Sequence, residues 1–215
     1  MTLTTEQLQI IENALNEKCN FKKFDDVRLE VMDHIASEIE AEMENHLLPF
    51  QNAFVNVMMR WNPMILPRTW SRYENVPYIV CKLWKSLDWK FQYSTIPVTA
   101  LITYLFYVLQ EQNYSIYPLL VPIFLIGIGS NVFLLYRKVT NKVKSTLSMY
   151  SLHRVYYQTF FLAIFLVINI SFFAGDIKSI FPIYYGAIYF SLMMAGKAWV
   201  MNKHLKIENQ FLKIS

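Results

Sequence analysis

The chain has 215 residues, of which 54% are hydrophobic and 16% aromatic, while charged residues reach only 17%. A wholly water-soluble globular protein carries about 25% charged residues, so this composition, with a mean hydropathy of +0.25, argues against that class. The two cysteines, Cys19 and Cys81, form no CxxC or CxxH pattern. Their spacing excludes a disulfide framework and a cysteine-based zinc module.

The net charge of +4 conceals an opposition between the two parts of the chain. Residues 1–48 hold eleven acidic and four basic side chains, whereas residues 49–215 hold five acidic and sixteen basic ones. The bases of the second part are dispersed among long apolar runs and do not cluster on one element, which argues against nucleic-acid binding. We therefore expect an acidic head, a basic membrane region and no nucleic-acid partner.

The acidic part of the chain predicts three helices. Thr4 and Gln7 have the spacing of a capping box, and the apolar residues that follow predict a first helix through about Lys18. Asp25 and Asp26 suit the start of the second helix, both as caps and as charges that complement the helix dipole. This helix is expected to bury a stripe that recurs every four residues, Val27, Val31, Ile35, Ile39, Met43 and Leu47.

The third helix follows Pro49 and is expected to bury Phe50, Phe54, Val57, Met58 and Trp61. The dipeptide Asn62-Pro63 ends it, which predicts a three-helix N-terminal domain over residues 1–62. The prolines that follow predict an irregular linker over residues 62–77.

Residues 77–90 predict an amphipathic juxtamembrane helix, because apolar residues lie on one side and lysines on the other. Tryptophan and lysine anchor such a helix at headgroup depth, and the expected membrane-interface residues are Trp84, Lys85, Trp89 and Lys90. A second interpretation stays open, in which this helix belongs to the head and runs on into the first membrane span. In both cases residues 63–91 connect the head to the membrane.

Four later stretches predict membrane spans, because each approaches the length of about 20 apolar residues that crosses a bilayer. They cover approximately residues 92–110, 116–136, 155–174 and 180–201. Lys197 is the only charged residue inside them, and we expect its stem to carry the ammonium to the headgroups. The predicted fold class is therefore all-α, with a three-helix head, a juxtamembrane helix and a four-helix transmembrane bundle.

The loops between the spans predict the orientation. The first link contains no lysine or arginine, whereas the second contains five bases, Arg137, Lys138, Lys142, Lys144 and Arg154. By the positive-inside rule the N-terminus, this second link and the tail at residues 202–215 are cytoplasmic. The polar first 20 residues lack the order of a cleavable signal peptide. We expect a multi-pass protein of a bacterial inner membrane.

The Asp33-His34 pair within residues 28–40 is followed by a helix that carries Phe50, Ala53, Val57 and Trp61. This pattern, over about residues 5–62, resembles the small helical HAAS-type domain. That domain precedes membrane spans in many bacterial proteins of signalling or regulatory function, often encoded beside PadR-like repressors or transporters. The resemblance implies a cytoplasmic three-helix module and implies no activity for the four spans.

Glu30, His34 and Glu38 fall on one face of the second helix at four-residue spacing. Two carboxylates and an imidazole are metal ligands, but the signature of two histidines four residues apart is absent. A solvated acidic face, a partner-binding surface and a metal site all remain open. We predict no bound metal and no cofactor, and these three residues are the weak candidates for a metal site.

Small and polar residues within the spans mark places where helices approach each other or line a path. The second span carries four of them on about one turn, Gly127, Gly129, Ser130 and Asn131. Close backbone approach and an amide hydrogen bond predict an interaction site here, within the bundle or with a partner. Nucleophilic, phosphate-binding and redox motifs are absent, so no catalytic residue is predicted.

The sequence therefore predicts a non-enzymatic inner-membrane interaction or regulatory subunit. Its spans would contact the lipid bilayer and bind another membrane protein or a second copy, and its head would bind a cytoplasmic protein. The alternative is a small transporter or channel component that acts as an oligomer. A membrane-embedded enzyme is a third hypothesis, for which His153 and Arg154 are the candidate residues.

Overall fold

The computed structural model describes residues 2–70, 73–140, 145–171 and 177–211, with side chains for all of these except 69–70, 170–171, 177–180 and 204–211. Most of the described residues are helical, in agreement with the all-α prediction. The chain forms two compact units. The first comprises Met1–Ser86 and Val143–Met149, and the second comprises Leu87–Lys142 and Tyr150–Ser215.

The first unit is the head. Its helices are α1 (Thr5–Glu17), α2 (Asp25–Asn45) and α3 (Phe50–Ile65), with a 3-10 turn at Phe21–Lys23 before α2. The strands β1 (Pro67–Trp70) and β2 (Tyr73–Pro77) follow, and α4 (Tyr78–Glu111) begins in the head. The second unit contains the rest of α4, together with α5 (Tyr117–Thr140), α7 (Val155–Ser171) and α8 (Ile177–Phe211), and α6 (Thr146–Leu152) crosses the boundary between the units.

The local signals of the head produce the expected helices. Thr4 and Gln7 form the capping box, in which each side chain accepts a hydrogen bond from the other residue's backbone N–H. The predicted apolar stripes are largely buried, through Ile11, Leu15, Val31, Ile35, Ile39, Phe50, Val57 and Met58, whereas the predicted Phe54 and Trp61 are only half-buried. Burial of these stripes against each other supplies most of the stability of such short helices.

Two helix ends differ from the prediction. The stripe of α2 does not reach Leu47, because α2 ends at Asn45 and Leu47 has a φ of +51° and is 86% exposed. In contrast, α3 continues past Pro63 to Ile65. Pro63 removes only one backbone hydrogen bond near the helix end, and complete burial of Ile65 offsets that loss.

The linker predicted as irregular over residues 62–77 contains a short antiparallel sheet. Pro67 lies opposite Pro77 and Arg68 opposite Val76. The two prolines occupy strand ends, where a missing N–H costs least. The prediction of an irregular linker is wrong because it relied on the prolines alone. The apolar side chain of Val76 is buried and packs the second strand against the core.

Two segments from beyond residue 62 complete the head core. Trp84 on α4 is 2% exposed, and its indole N–H donates to the carbonyl oxygen of Thr146 at 3.1 Å. The Asp26 carboxylate accepts the backbone N–H of Thr146 at 2.9 Å and its hydroxyl at 2.8 Å. Trp84 also packs edge-on against two aromatic rings, Phe24 and Tyr73. The predicted domain boundary at residue 62 is therefore too early.

In the second unit, two apolar clusters mark opposite ends of the helices. The first contains Phe106, Ile116, Leu120, Tyr184 and Ile188, and the second contains Leu134, Leu152, Val155, Leu162, Met194 and Met201. Helices α5 and α8 both run from the first cluster to the second, so they are parallel. Helix α7 starts in the second cluster and runs the opposite way, and α4 approaches the first cluster at its C-terminal end. The helices therefore alternate in direction along the chain.

Among the described residues, two stretches are long and apolar enough to cross a bilayer, Tyr117–Thr140 and Thr146–Asn169. They contain the second predicted span and most of the third, whose residues 172–174 lie outside the described residues. The first and fourth predicted spans lie within α4 and α8, which are not among these two stretches. Both helices are continuous but contain polar residues such as Thr95, Thr99 and Lys197. Residues 78–90 belong to the same continuous helix as the first predicted span.

Stability of the head should depend on pH through Cys19 and Cys81. Both thiols are fully buried, and burial raises the pKa of each above its ordinary value. The folded chain thus holds these protons more tightly than the unfolded chain. Their contribution to the free energy of unfolding is complete below the unfolded pKa of about 8.5 and is lost as pH rises above it.

Urea unfolding of the head at pH 7.5 and pH 9.5, followed by tryptophan fluorescence, measures this loss. A Cys19→Ala/Cys81→Ala variant is the control, because it keeps every other titratable side chain of the parent. The parent should lose more stability between the two pH values than the variant. Equal losses of stability in the parent and the variant would show that the two thiols do not cause the pH dependence.

Candidate functional site

The head contains an open groove of about 570 Å³ between α2, α3 and the first turns of α4. Its walls are mainly apolar and include Val27, Val31, Trp61, Met64, Ile79 and Leu83. Glu30 and His34 lie on its α2 side, and Lys82 lies on its α4 side. The groove thus combines an apolar interior with a few charged groups at its rim, as binding sites commonly do.

The structure separates the three weak metal candidates. Glu30 and His34 line the groove, and the imidazole of His34 stacks on the ring of Trp61, with centroids 6.3 Å apart. The Glu38 carboxylate instead accepts the indole N–H of Trp61 at 3.0 Å and pairs with Arg60 at 3.4 Å. Within the described part of the chain, no three His, Cys, Asp or Glu side chains are placed to hold a metal ion.

The predicted patch on α5 is divided between two faces, and Gly127 and Asn131 face the bundle. A Cβ atom on Gly127 would lie 2.5 Å from the Oγ of Ser191 and 2.9 Å from its Cα, so only glycine permits this approach of α5 to α8. The Asn131 side-chain amide donates to the Oγ1 of Thr159 on α7 at 2.8 Å. The close approach and the amide hydrogen bond are therefore both made within the chain.

Gly129 and Ser130 lie on a different side of α5. A Cβ on Gly129 would meet no described atom within 4 Å. Both residues line a shallow groove of about 480 Å³ on the surface of α5 and α8, whose α8 side is formed by Ala195, Ala198, Trp199 and Asn202. Small residues on both helices leave their backbones accessible to a third helix. This surface is named the α5/α8 groove below.

The predicted membrane-interface residues also divide. Lys85, Trp89 and Lys90 are exposed on α4, and the ring of Trp89 packs edge-on against Tyr93 with centroids 4.3 Å apart. Trp84 does not belong with them, because it is buried in the head core. The prediction that Trp84 anchors the chain at headgroup depth is therefore wrong.

Lys197 does not extend toward headgroups either. Its side chain is 4% exposed, and its Nζ donates to the carbonyl oxygen of His153 and to the Oε1 of Gln158, both at 3.0 Å. It also lies 5.5 Å from the ring centroid of Tyr150, whose hydroxyl donates to Asp88 at 3.0 Å. These contacts compensate the cost of burying the ammonium, so the side chain can remain among the helices.

Sequence reasoning missed the participation of Asp88 in this cluster. Asp88 is the only acidic residue between Glu74 and Glu111 and lies among the lysines of α4. Aspartate is mostly exposed unless it is paired, and its partner Tyr150 lies 62 residues away, so the sequence carries no local signal of its burial. Of the two candidate residues for an enzyme, His153 accepts the Lys197 ammonium on its backbone carbonyl, and the guanidinium of Arg154 lies 5.9 Å from the ring centroid of Tyr157.

Comparison with protein-family models, with curated proteins and with solved structures gave no match. The resemblance of the head to a HAAS-type domain therefore stays a prediction, and the function has to be inferred from the geometry described above.

The two glycines of α5 should respond differently to the same substitution. Gly127→Ala forces α5 and α8 apart, and we expect it to destabilise the second unit by about 1–3 kcal/mol. Gly129→Ala fits open space and raises helix propensity, so it should leave stability unchanged or increase it by up to about 1 kcal/mol. Thermal unfolding of the purified variants in one detergent measures the difference. Equal shifts in melting temperature would contradict the division of the patch.

Proposed function

We propose that this chain is a non-enzymatic subunit of a bacterial inner membrane, which acts by association. In this proposal α4, α5, α7 and α8 each cross the bilayer, and the α5/α8 groove binds a helix of another membrane protein or of a second copy. The head and both termini are cytoplasmic. The observation that carries the proposal is the α5/α8 groove, where Gly129 leaves open space on an exposed apolar face.

The contact between Asp26 and Thr146 supports four spans. Thr146 follows α5 and is bound to the head, so the head and the link after α5 lie on one side of any membrane. If α5 crosses, Asn113 before it lies on the other side. The segment from the head to Asn113 must then also cross, and α4 is its only helix.

The arrangement of the second unit supports the same topology. Phe106 packs with Tyr184, and a Cβ on Gly196 would lie 2.8 Å from the ring of Phe91. Helix α4 therefore runs antiparallel to α8 over a shared length. Large apolar side chains are exposed on all four of these helices, including Leu101, Leu105, Leu125, Val132, Phe160, Val167 and Trp199. Lipid is the environment that such surfaces require.

The α5/α8 groove supports association through packing. Helices in lipid gain no hydrophobic advantage from association, so close contact of small residues and hydrogen bonds drive it. Ser130 and Asn202 offer polar groups beside the small Gly129 and Ala195. Trp199 is exposed at the edge of the groove and provides a large surface for a neighbouring helix.

The head supports a regulatory role for the subunit. It is a helical module with an acidic surface, and its resemblance to HAAS-type domains implies a cytoplasmic signalling function. The bases that follow α5 favour the cytoplasm for the link that contacts this head. A cytoplasmic protein bound by the head would thereby be coupled to a membrane partner.

Labelling of single cysteines tests the topology. In a Cys19→Ala/Cys81→Ala background, an impermeant maleimide applied to spheroplasts should label Asn113→Cys and should leave Ser37→Cys in the head unlabelled. Permeabilisation should make Ser37→Cys reactive, which controls for its accessibility. Labelling of both sites in sealed spheroplasts, or of neither, would contradict a crossing by α4.

Photocrosslinking in native membranes tests the association. With benzoylphenylalanine at Trp199, we expect a crosslinked partner or homodimer, and Gly129→Leu should reduce its yield about tenfold by filling the α5/α8 groove. Val132→Leu also places a leucine on an exposed part of α5, but outside the groove, and is the control. Recovery of monomer alone would refute the association.

The alternative function, a transporter or channel component, is favoured by a different observation. The Oγ1 of Thr99, the Oδ1 of Asn169 and the Oγ of Ser191 are buried in the second unit without a hydrogen-bond partner among the described residues. Polar atoms of this kind can mark a path for ions or solutes. Ion flux through proteoliposomes that is abolished by Thr99→Val would favour this alternative.

A further inference from the structure

We propose that the groove in the head binds one amphipathic helix of a cytoplasmic protein, with basic residues on the flank that faces Glu30. This inference deepens the proposed function and rests on it, since the head must be cytoplasmic and must bind a partner. The apolar ridge of the bound helix would lie between α2, α3 and α4, against Val31, Trp61 and Leu83.

The shape of the groove favours a helix over a small molecule. Sites for small molecules enclose most of the ligand surface, whereas Met64 and Leu83 in this groove are 45% and 42% exposed. An open, apolar channel between helices suits the ridge that a helix presents at positions i, i+3, i+4 and i+7. Methionine at its edge can adapt to different side chains.

The charges at the rim favour a basic partner. The arginines of α2 and α3 are already engaged, because Arg28 pairs with Glu12 and Asp25, and Arg60 pairs with Glu38 and Glu42. Glu30 and Asp33, one turn apart on α2, have no hydrogen bond or ion pair among the described residues. Of the two, Glu30 lines the groove, so its carboxylate places a negative charge on the α2 rim, which complements lysine or arginine on a bound helix.

The opposite rim defines the orientation of the bound helix. Lys82 lies on the α4 side of the groove and would disfavour a helix that is basic on both flanks. The Trp61 indole is held by its hydrogen bond to Glu38 and by stacking on His34. An aromatic wall fixed before binding reduces the entropy that association costs.

The experiment uses the full-length protein in phosphatidylcholine nanodiscs and measures fluorescence anisotropy of labelled model peptides. The probe is a helical peptide of leucine, alanine and lysine with one apolar face and lysines on one flank. Two control peptides have the same composition in scrambled order, or glutamate in place of lysine. Empty nanodiscs measure the lipid contribution, which is subtracted.

The ordered basic peptide should bind more tightly than both controls. Leu83→Gln should weaken its binding about tenfold, as expected for a wall residue, and Glu30→Gln should weaken it about threefold, as expected for a charge at the rim. Leu29→Gln and Glu17→Gln change exposed residues outside the groove and should have no effect. Unchanged melting temperatures of the variants exclude loss of folding.

Several outcomes would overturn the proposal. Equal binding of the scrambled peptide would show that charge alone acts, and tighter binding of the glutamate peptide would reverse the inferred sign. Binding of a long-chain fatty acid that is sensitive to Leu83→Gln, without peptide binding, would make the groove a lipid site. Photocrosslinking through Trp199 should be unaffected by Leu83→Gln, so failure of the groove and failure of membrane association are distinguishable.

Discussion

The hydrogen bonds of Thr146 to Asp26 and Trp84 connect residues that are far apart in the sequence. Thr146 donates its backbone N–H and hydroxyl to the carboxylate and accepts the indole N–H on its carbonyl, while its side chain is almost fully buried. Each hydrogen bond to a charged acceptor contributes roughly 1.5–3 kcal/mol to the stability of a folded protein. Because they return the chain to the head after α5, they also constrain how α4 and α5 can be placed in a bilayer.

Helix α4 uses one face for two different environments. In the head this face carries Val80, Cys81 and Trp84, and in the second unit it carries Asp88 and then a row of buried threonines, Thr95, Thr99 and Thr103. The Thr103 hydroxyl donates to the carbonyl of Thr99 one turn earlier. A threonine can thus satisfy its hydroxyl within its own helix, as Thr103 does, whereas the hydroxyl of Thr99 has no hydrogen-bond partner among the described residues.

Local sequence patterns correctly predicted features that depend on neighbouring residues. The predictions that were wrong concern side chains whose positions depend on residues far away in the sequence. The stripe from Val31 to Ile39 follows from helical periodicity alone. The position of Trp84 depends on Phe24, Tyr73 and Thr146, which three separate segments supply. On α5, a spacing of two residues turns a helix by about 200°, so Gly127 and Gly129 could not share one face. Closeness along about one helical turn predicts a single patch, and the direction of each residue around the helix divides it.

The buried Lys197 has a consequence for the biogenesis of the protein. An unpaired ammonium in hydrocarbon is strongly disfavoured, but its acceptors on His153 and Gln158 and the ring of Tyr150 precede it in the chain. During synthesis these groups emerge before α8 does. In the proposed topology the groups that bind the ammonium would therefore already have been synthesised when the last helix enters the bilayer.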